Sequence, residues 1–181
     1  MSTRYEWILA QANDWLKFAE AKNGALVVFN SAILLATVQL IGEHPPGHIL
    51  PKLYLASLWG FLGASLAIAL FSFLPKTTIP LLSAGERPSP RDNLIFFGAA
   101  KKYTAQDYAA AINARYGIGE PDDKQWEHDV SEQVVTNARI AVWKYTCFKV
   151  ALWGTIWGLL TPILGPLVFG VLYAWSKSHR T

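Results

Sequence analysis

The sequence predicts an all-α integral membrane protein with three transmembrane helices and a cytoplasmic helical insert between the second and third. Three observations predict it. First, 52% of the 181 residues are apolar and only 16% are charged, a balance that a soluble domain of this size has no reason to carry. Second, the stretches Gly24–Gly42, Leu53–Leu74 and Val150–Trp175 contain no Asp, Glu, Lys or Arg. Each has about the 20 residues that a helix rising about 1.5 Å per residue needs to cross about 30 Å of hydrocarbon. Third, aromatic residues crowd the borders: Tyr54, Trp59, Phe71 and Phe73 around the second stretch, Trp143, Trp153, Trp157, Tyr173 and Trp175 around the third. Trp and Tyr favour the membrane interface. The competing reading, three core helices of a soluble protein, does not account for charge-free runs this long.

Residues 1–23 read as a cytoplasmic amphipathic helix. Thr3 with Glu6 three residues later has the pattern of a capping box. Tyr5, Ile8, Leu9, Ala12, Trp15, Leu16 and Ala19 fall at helical spacing, while Arg4, Asp14, Lys17 and Glu20 mark the other face. Mixed charges make a cleaved signal peptide the wrong reading, and they weaken the alternative of an anchor lying on the membrane surface. No breaker precedes Gly24, so the helix is expected to run on into the first span, 24–42. Residues 43–52 then form an outward-facing turn in which Pro45, Pro46, Gly47 and Pro51 interrupt both helices. His44 and His48 flank the Pro-Pro-Gly of this turn, off any common helical face, and no metal site is expected there.

The second span, 53–74, leads to the insert and stalk helix at 75–149. Ten Lys or Arg lie in 75–149, three in the N-terminal tail and only Lys52 in the turn, which places tail and insert in the cytoplasm. Pro75, Pro80, Pro88 and Pro90 make the first part a loop. Asn93-Leu94-Ile95-Phe96-Phe97-Gly98 is expected to be a short strand or a hydrophobic plug. Thr104 to Tyr116 reads as a short helix capped by Thr104, with Asp107 three residues on. A long helix should start near Asp122 or Asp123, carry the stripe Trp126, Val130, Val134, Ala138 and Ala141, and continue into the third span at 150–175. Thr161-Pro162-Ile163-Leu164-Gly165-Pro166 sits midway along that span, so a kink is expected, with one crossing favoured over a hairpin and a re-entrant pair as the alternative. A tail, 176–181, follows.

Catalytic chemistry finds no support in the sequence. The one cysteine, Cys147, cannot form an internal disulfide, the four histidines are scattered, and no phosphate loop or nucleophile elbow is present. The chain is therefore expected to be neither an enzyme nor metal-dependent, and to need no cofactor. The first span carries Asn30, Ser31, Thr37 and Gln39 as its strongly polar side chains, whose ordinary role is helix association. Asn30 is expected to face the protein interior, because a primary amide turned to lipid leaves its polar groups unpaired. Gly60, Gly63, Ala64 and Ala67 on the second span suit close helix approach in a homo-oligomer.

The helix bearing Trp15, the run Lys22-Asn23-Gly24-Ala25-Leu26-Val27-Val28-Phe29-Asn30 at the start of the first span, and Asn93 to Gly98 form a pattern that resembles the transmembrane effectors of the Pycsar antiphage system. It continues through the Tyr-bearing helix Thr104 to Tyr116 and the run Ala138-Arg139-Ile140-Ala141-Val142-Trp143-Lys144-Tyr145, covering roughly residues 7 to 175. The doubled proline of the third span is a departure from that pattern. The resemblance implies a multi-pass protein of the bacterial inner membrane, with the lipid bilayer, a partner cyclase and its product as partners and no nucleic acid polymer. The product is a cyclic pyrimidine mononucleotide, cUMP or cCMP, and it activates the effector to impair the membrane. Such a ligand needs donors for its phosphate and an aromatic face or hydrogen-bonding edge for its base. Lys101, Lys102, Arg115 and Arg139 are the candidates for the phosphate, Tyr103 or Phe97 for stacking and Asn93 for the base edge. The bland alternative for the lysines is solvated charge or lipid-headgroup contact, and for Phe97 core packing.

Overall fold

The computed structural model describes residues 2–74, 87–116 and 124–178, and among them the side chains of 5–74, 87–116, 124–161 and Trp175. Among the described residues five helices follow one another: α1 (Ser2–Glu43), α2 (Ile49–Phe71), α3 (Phe97–Ala100), α4 (Ala105–Tyr116) and α5 (Lys124–Ser178). Among the described residues two of them, over Tyr5–Glu43 and Ile49–Phe71, are long and apolar enough to cross a membrane. Their most apolar windows are only 11% and 22% buried, unlike core helices of a soluble protein.

Four details differ from the sequence-based expectations. Of the two readings of Asn93–Gly98 the strand does not hold and the plug does: the Asn93 Oδ1 and carbonyl accept the Ile95 and Phe96 amides, which bends the chain into a turn that opens into α3, with Leu94 buried against α5. Pro51 does not break α2 but lies in its first turn, where the missing N–H has no intrahelical acceptor to lose. α2 also ends at Phe71, three residues before the expected end of the span. α1 already starts at Ser2, which puts Thr3 inside the helix rather than at its cap. Pro75, Pro80 and the expected start of α5 at Asp122 or Asp123 lie outside the described residues.

Helix α5 runs without a break across Pro162 and Pro166, so the backbone there makes no hairpin turn. At the start of α4, the Asp107 amide donates to Thr104 Oγ1 at 3.1 Å and the Thr104 hydroxyl donates to the Asp107 carboxylate at 2.8 Å, the reciprocal cap expected from the sequence.

The described chain divides into two compact units, Met1–Asn23 with Ser72–Cys147, and Gly24–Phe71 with Phe148–Thr181. In the first, the tail stripe meets the α5 stripe. Tyr5, Ile8 and Ala12 of α1, Val130, Val134, Val135 and Ala138 of α5 and Tyr108 and Ile112 of α4 form one buried cluster, with Leu94 fully enclosed in it. In the second, Leu26, Ala69 and Ala151 pack together with Val27, Ile68, Phe148 and Leu152 around them. Here α2 and α5 approach closely. A methyl added at Gly154 would meet Ser65 Cβ at 3.4 Å, and one at Gly158 would meet Phe61 Cβ at 3.0 Å. A Cβ at Gly60 or Gly63 would meet nothing within 4 Å, so of these four glycines it is Gly154 and Gly158 of α5 that sit at the helix contact.

Candidate functional site

The segment 87–103 is built around Asp92. Its carboxylate accepts the Ser89 amide at 2.9 Å and the Lys102 ammonium at 3.2 Å. The Ser89 amide first, and then Lys102, hold this carboxyl below the ordinary carboxylate range. Tyr103 is buried beside it, with its hydroxyl donating to the Ser89 carbonyl at 3.1 Å. Burial, and then the Asp92 charge, raise the Tyr103 phenol above its usual value. The Arg115 guanidinium donates to the carbonyls of Asp92 and Pro90. From α5, Arg139 Nε donates to the Lys101 carbonyl at 3.2 Å and its Nη2 to the Tyr103 carbonyl at 2.9 Å.

The candidates for ligand contact therefore share one region, with much of their polar capacity used inside it. Lys102, Tyr103 and Arg115 gather at Asp92, Asn93 follows it in the turn, and Arg139 ties down the backbone on either side of Lys102. Phe97 instead belongs to an aromatic group: it stacks on Tyr145 with centroids 5.1 Å apart and meets Trp15 edge-on at 5.3 Å. Lys22 lies over the Tyr145 ring at 5.4 Å. The half-buried Lys101 sits at the start of the turn after α3.

Three polar arrangements were not expected from the sequence. Asp92 is one, although an Asp three residues after a Ser in a Pro-flanked segment is a turn signal. The second joins α1, α4 and α5: the Tyr5 hydroxyl and the Asn113 amide both donate to the buried Glu127 carboxylate. Burial and this carboxylate push the Tyr5 phenol far up. Glu127 lies three residues before Val130, so the α5 stripe itself could have revealed it. The third is a buried lysine. Lys144 Nζ is 3.0 Å from Glu20 and donates to the Ser72 carbonyl at 3.0 Å, just past the end of α2, while the Asn23 amide bonds the Lys144 and Ala19 carbonyls. A cation suits a helix C-terminus.

In the second unit Asn30 is fully buried. Its Nδ2 donates to Ser65 Oγ at 2.8 Å, and its Oδ1 accepts from Thr155 Oγ1 at 3.0 Å. Ser65 in turn donates to the Ala151 carbonyl at 2.6 Å. Three helices thereby share one uncharged polar contact in otherwise apolar surroundings, each partner meeting the others' hydrogen-bonding needs.

No solved structure matches the chain. Among curated proteins it is similar to the Pycsar effector protein RsPycTM of a Rhizobium species, at 28% identity over 171 residues, which cover 92% of this chain and 94% of that protein. Residues 4–173 match the Pycsar effector protein domain, the span that holds α1, the Asp92 segment, Arg139, Lys144 and the Asn30 contact, and the chain accordingly belongs to the Pycsar effector family of antiphage defence.

Proposed function

We propose that this protein is a ligand-gated effector of the bacterial inner membrane, activated by a cyclic pyrimidine mononucleotide, cUMP or cCMP, from a partner cyclase. Activation impairs membrane integrity, and the chain performs no catalysis and carries no cofactor. It crosses the membrane three times, through 24–42, 53–74 and 150–175, with tail and insert in the cytoplasm, and works as a homo-oligomer. The carrying observation is the contrast in polar content between the two units. The unit of 1–23 and 72–147 gathers Lys102, Arg115, Arg139 and an acceptor-rich turn in one region, whereas the other holds an uncharged Asn30–Ser65–Thr155 contact.

An anionic cyclic phosphate competes with Asp92 for Lys102 and draws on the remaining N–H groups of Arg115 and on Lys101. The Asn93 amide nitrogen is available to a base edge, since its Oδ1 is taken by the Ile95 amide. Phe97 or Tyr103 offers a ring. Releasing Lys102 and Arg139 from the 89–103 segment alters how that segment is held, and α5, unbroken from Lys124 to Ser178, carries the change along its length. The ligand biases the membrane state only through a difference in affinity for two conformations, and about 1.4 kcal/mol shifts their ratio tenfold.

The test is nucleotide binding to purified full-length protein, with a panel of cyclic mononucleotides, beside ligand-dependent depolarisation of cells. Saturable binding of cUMP or cCMP that is weakened at least tenfold in the Lys101→Ala, Lys102→Ala double variant and in Arg139→Ala, with loss of depolarisation, is the expected result. Unchanged binding and depolarisation in all these variants overturn the site, and binding of a purine nucleotide alone overturns the ligand.

A further inference from the structure

Three rings stand in the segment 87–103, and the packing treats them differently. Tyr103 is 5% exposed, with its hydroxyl on the Ser89 carbonyl and its ring edge-on to Tyr108 at 6.1 Å. Phe97 packs against the core, stacked on Tyr145 and met edge-on by Trp15. Phe96 is 47% exposed, although its centroid lies 4.5 Å from that of Phe97 and 6.1 Å from that of Trp15. Gly98 decides where this ring lies. A Cβ there would stand 2.5 Å from Phe96 Cε1 and 3.2 Å from Cδ1 and Cζ, so the ring rests against a stretch of α3 backbone that only glycine leaves bare. An aromatic ring held from one side and open on the other is a platform for stacking.

We propose that the pyrimidine of the cyclic nucleotide stacks on Phe96 and that Asn93 donates to its carbonyl edge. The inference rests on the ligand proposed above, and it gives the base to a ring other than Phe97 and Tyr103, whose surfaces are already covered. Asn93 and Phe96 are the two ends of one turn, in which the Asn93 carbonyl accepts the Phe96 amide at 3.0 Å. The exposed Asn93 side chain is oriented within that turn, because its Oδ1 accepts the Ile95 amide at 3.1 Å. Its Nδ2 is therefore a donor carried on the same turn as the ring. Uracil and cytosine both carry the O2 carbonyl on the ring that stacks, which gives this donor an acceptor in either base. Toward the phosphate, Phe96 is the N-cap of α3 and Lys101 its C-cap, five residues and about 8 Å apart along the helix, with Lys102 next. One short element thus joins an open ring to two cations. Contact with lipid would explain an exposed phenylalanine, but not its pairing with an exposed asparagine fixed on the same turn.

The experiment has two arms, both on purified full-length protein. In the first, the parent is irradiated with bound 5-iodo-cUMP or 5-iodo-cCMP, which attach to the aromatic residue against which the base lies, and peptide mass spectrometry locates the adduct. An adduct on Phe96 is expected. An adduct on Phe97, Tyr103 or any other residue, or none under conditions of saturable binding, overturns the proposal. The second arm compares cUMP and cCMP with their 5,6-dihydro forms, which keep the cyclic phosphate and the O2 carbonyl but lack a planar π face. The parent should bind the planar forms at least fivefold more tightly, Phe96→Tyr should keep that preference, and Phe96→Leu and Gly98→Ala should lose it. A preference that survives in Phe96→Leu, at whatever affinity, overturns the assignment of Phe96 alone, and the adduct on the parent decides the matter if that variant does not fold. A parent that binds neither cUMP nor cCMP overturns the ligand of the proposed function and this inference with it.

Discussion

The two units solve the problem of buried polarity in opposite ways. In the one formed by 1–23 and 72–147, charge is kept and neutralised: Asp92 against Lys102, Lys144 against Glu20, and Glu127 under the Tyr5 and Asn113 donors. In the one formed by 24–71 and 148–181, Asn30, Ser65 and Thr155 supply polarity without charge. The difference teaches two ways of burying polarity: a buried charge needs an opposite charge or hydrogen-bond partners to offset its desolvation, whereas neutral groups that satisfy one another carry a smaller desolvation cost. Among the described residues, only the first unit holds ion pairs.

The largest break in this contrast is expected from Glu20→Ala. Lys144 is then left almost wholly buried with its charge opposed only by the Ser72 carbonyl and the nearby Phe73 ring. Because Glu20 is partly exposed, the cost should sit at the low end of the about 3–5 kcal/mol for an unpaired buried charge. Lys144→Met, which removes the charge itself, should cost less. Thermal unfolding in detergent tests the order, and a larger loss in Lys144→Met would show that the pair is not the controlling term.

Next comes Arg139→Ala, which frees the carbonyls of Lys101 and Tyr103 and should cost about 2 kcal/mol. Arg139→Lys should recover little, because an ammonium does not reproduce the guanidinium fork. Proteolytic protection of the 87–103 segment is the direct measurement.

Asn30→Leu should cost about 1 kcal/mol, since Ser65 and Thr155 both keep the Ala151 carbonyl within hydrogen-bonding reach. Its effect on activity is expected to be out of proportion: toxicity lost or deregulated with insertion intact, read by depolarisation beside membrane fractionation. Normal toxicity would make the contact purely structural.

The smallest effect concerns pH. The Asp92 carboxyl is depressed in the folded protein, so its contribution is full above the ordinary value near 3.9 and is lost as pH falls through the depressed one. Asp92→Asn should therefore be less stable than the parent at pH 7 and should lose less stability as the pH falls below about 4. Parallel curves for the two proteins would exclude Asp92 as a source of the acid sensitivity.

What the sequence determined by itself is what local energetics decide. The apolar lengths of 24–42 and 53–74 called for helices, and helix covers 24–42 and 53–71. Thr104 and Asp107 specified the start of α4 because a cap involves only neighbours in sequence. Tertiary structure alone decided how polar side chains were used. Asn30 meets Thr155 across 125 residues and Tyr5 meets Glu127 across 122, separations at which no helical period gives information. For the same reason Lys102 and Arg139 read as free donors but are tied to Asp92 and to backbone carbonyls. Asn93 to Gly98 has the composition of a strand, yet in the described chain no neighbouring strand accepts its amides, and its own asparagine turns it into α3 instead.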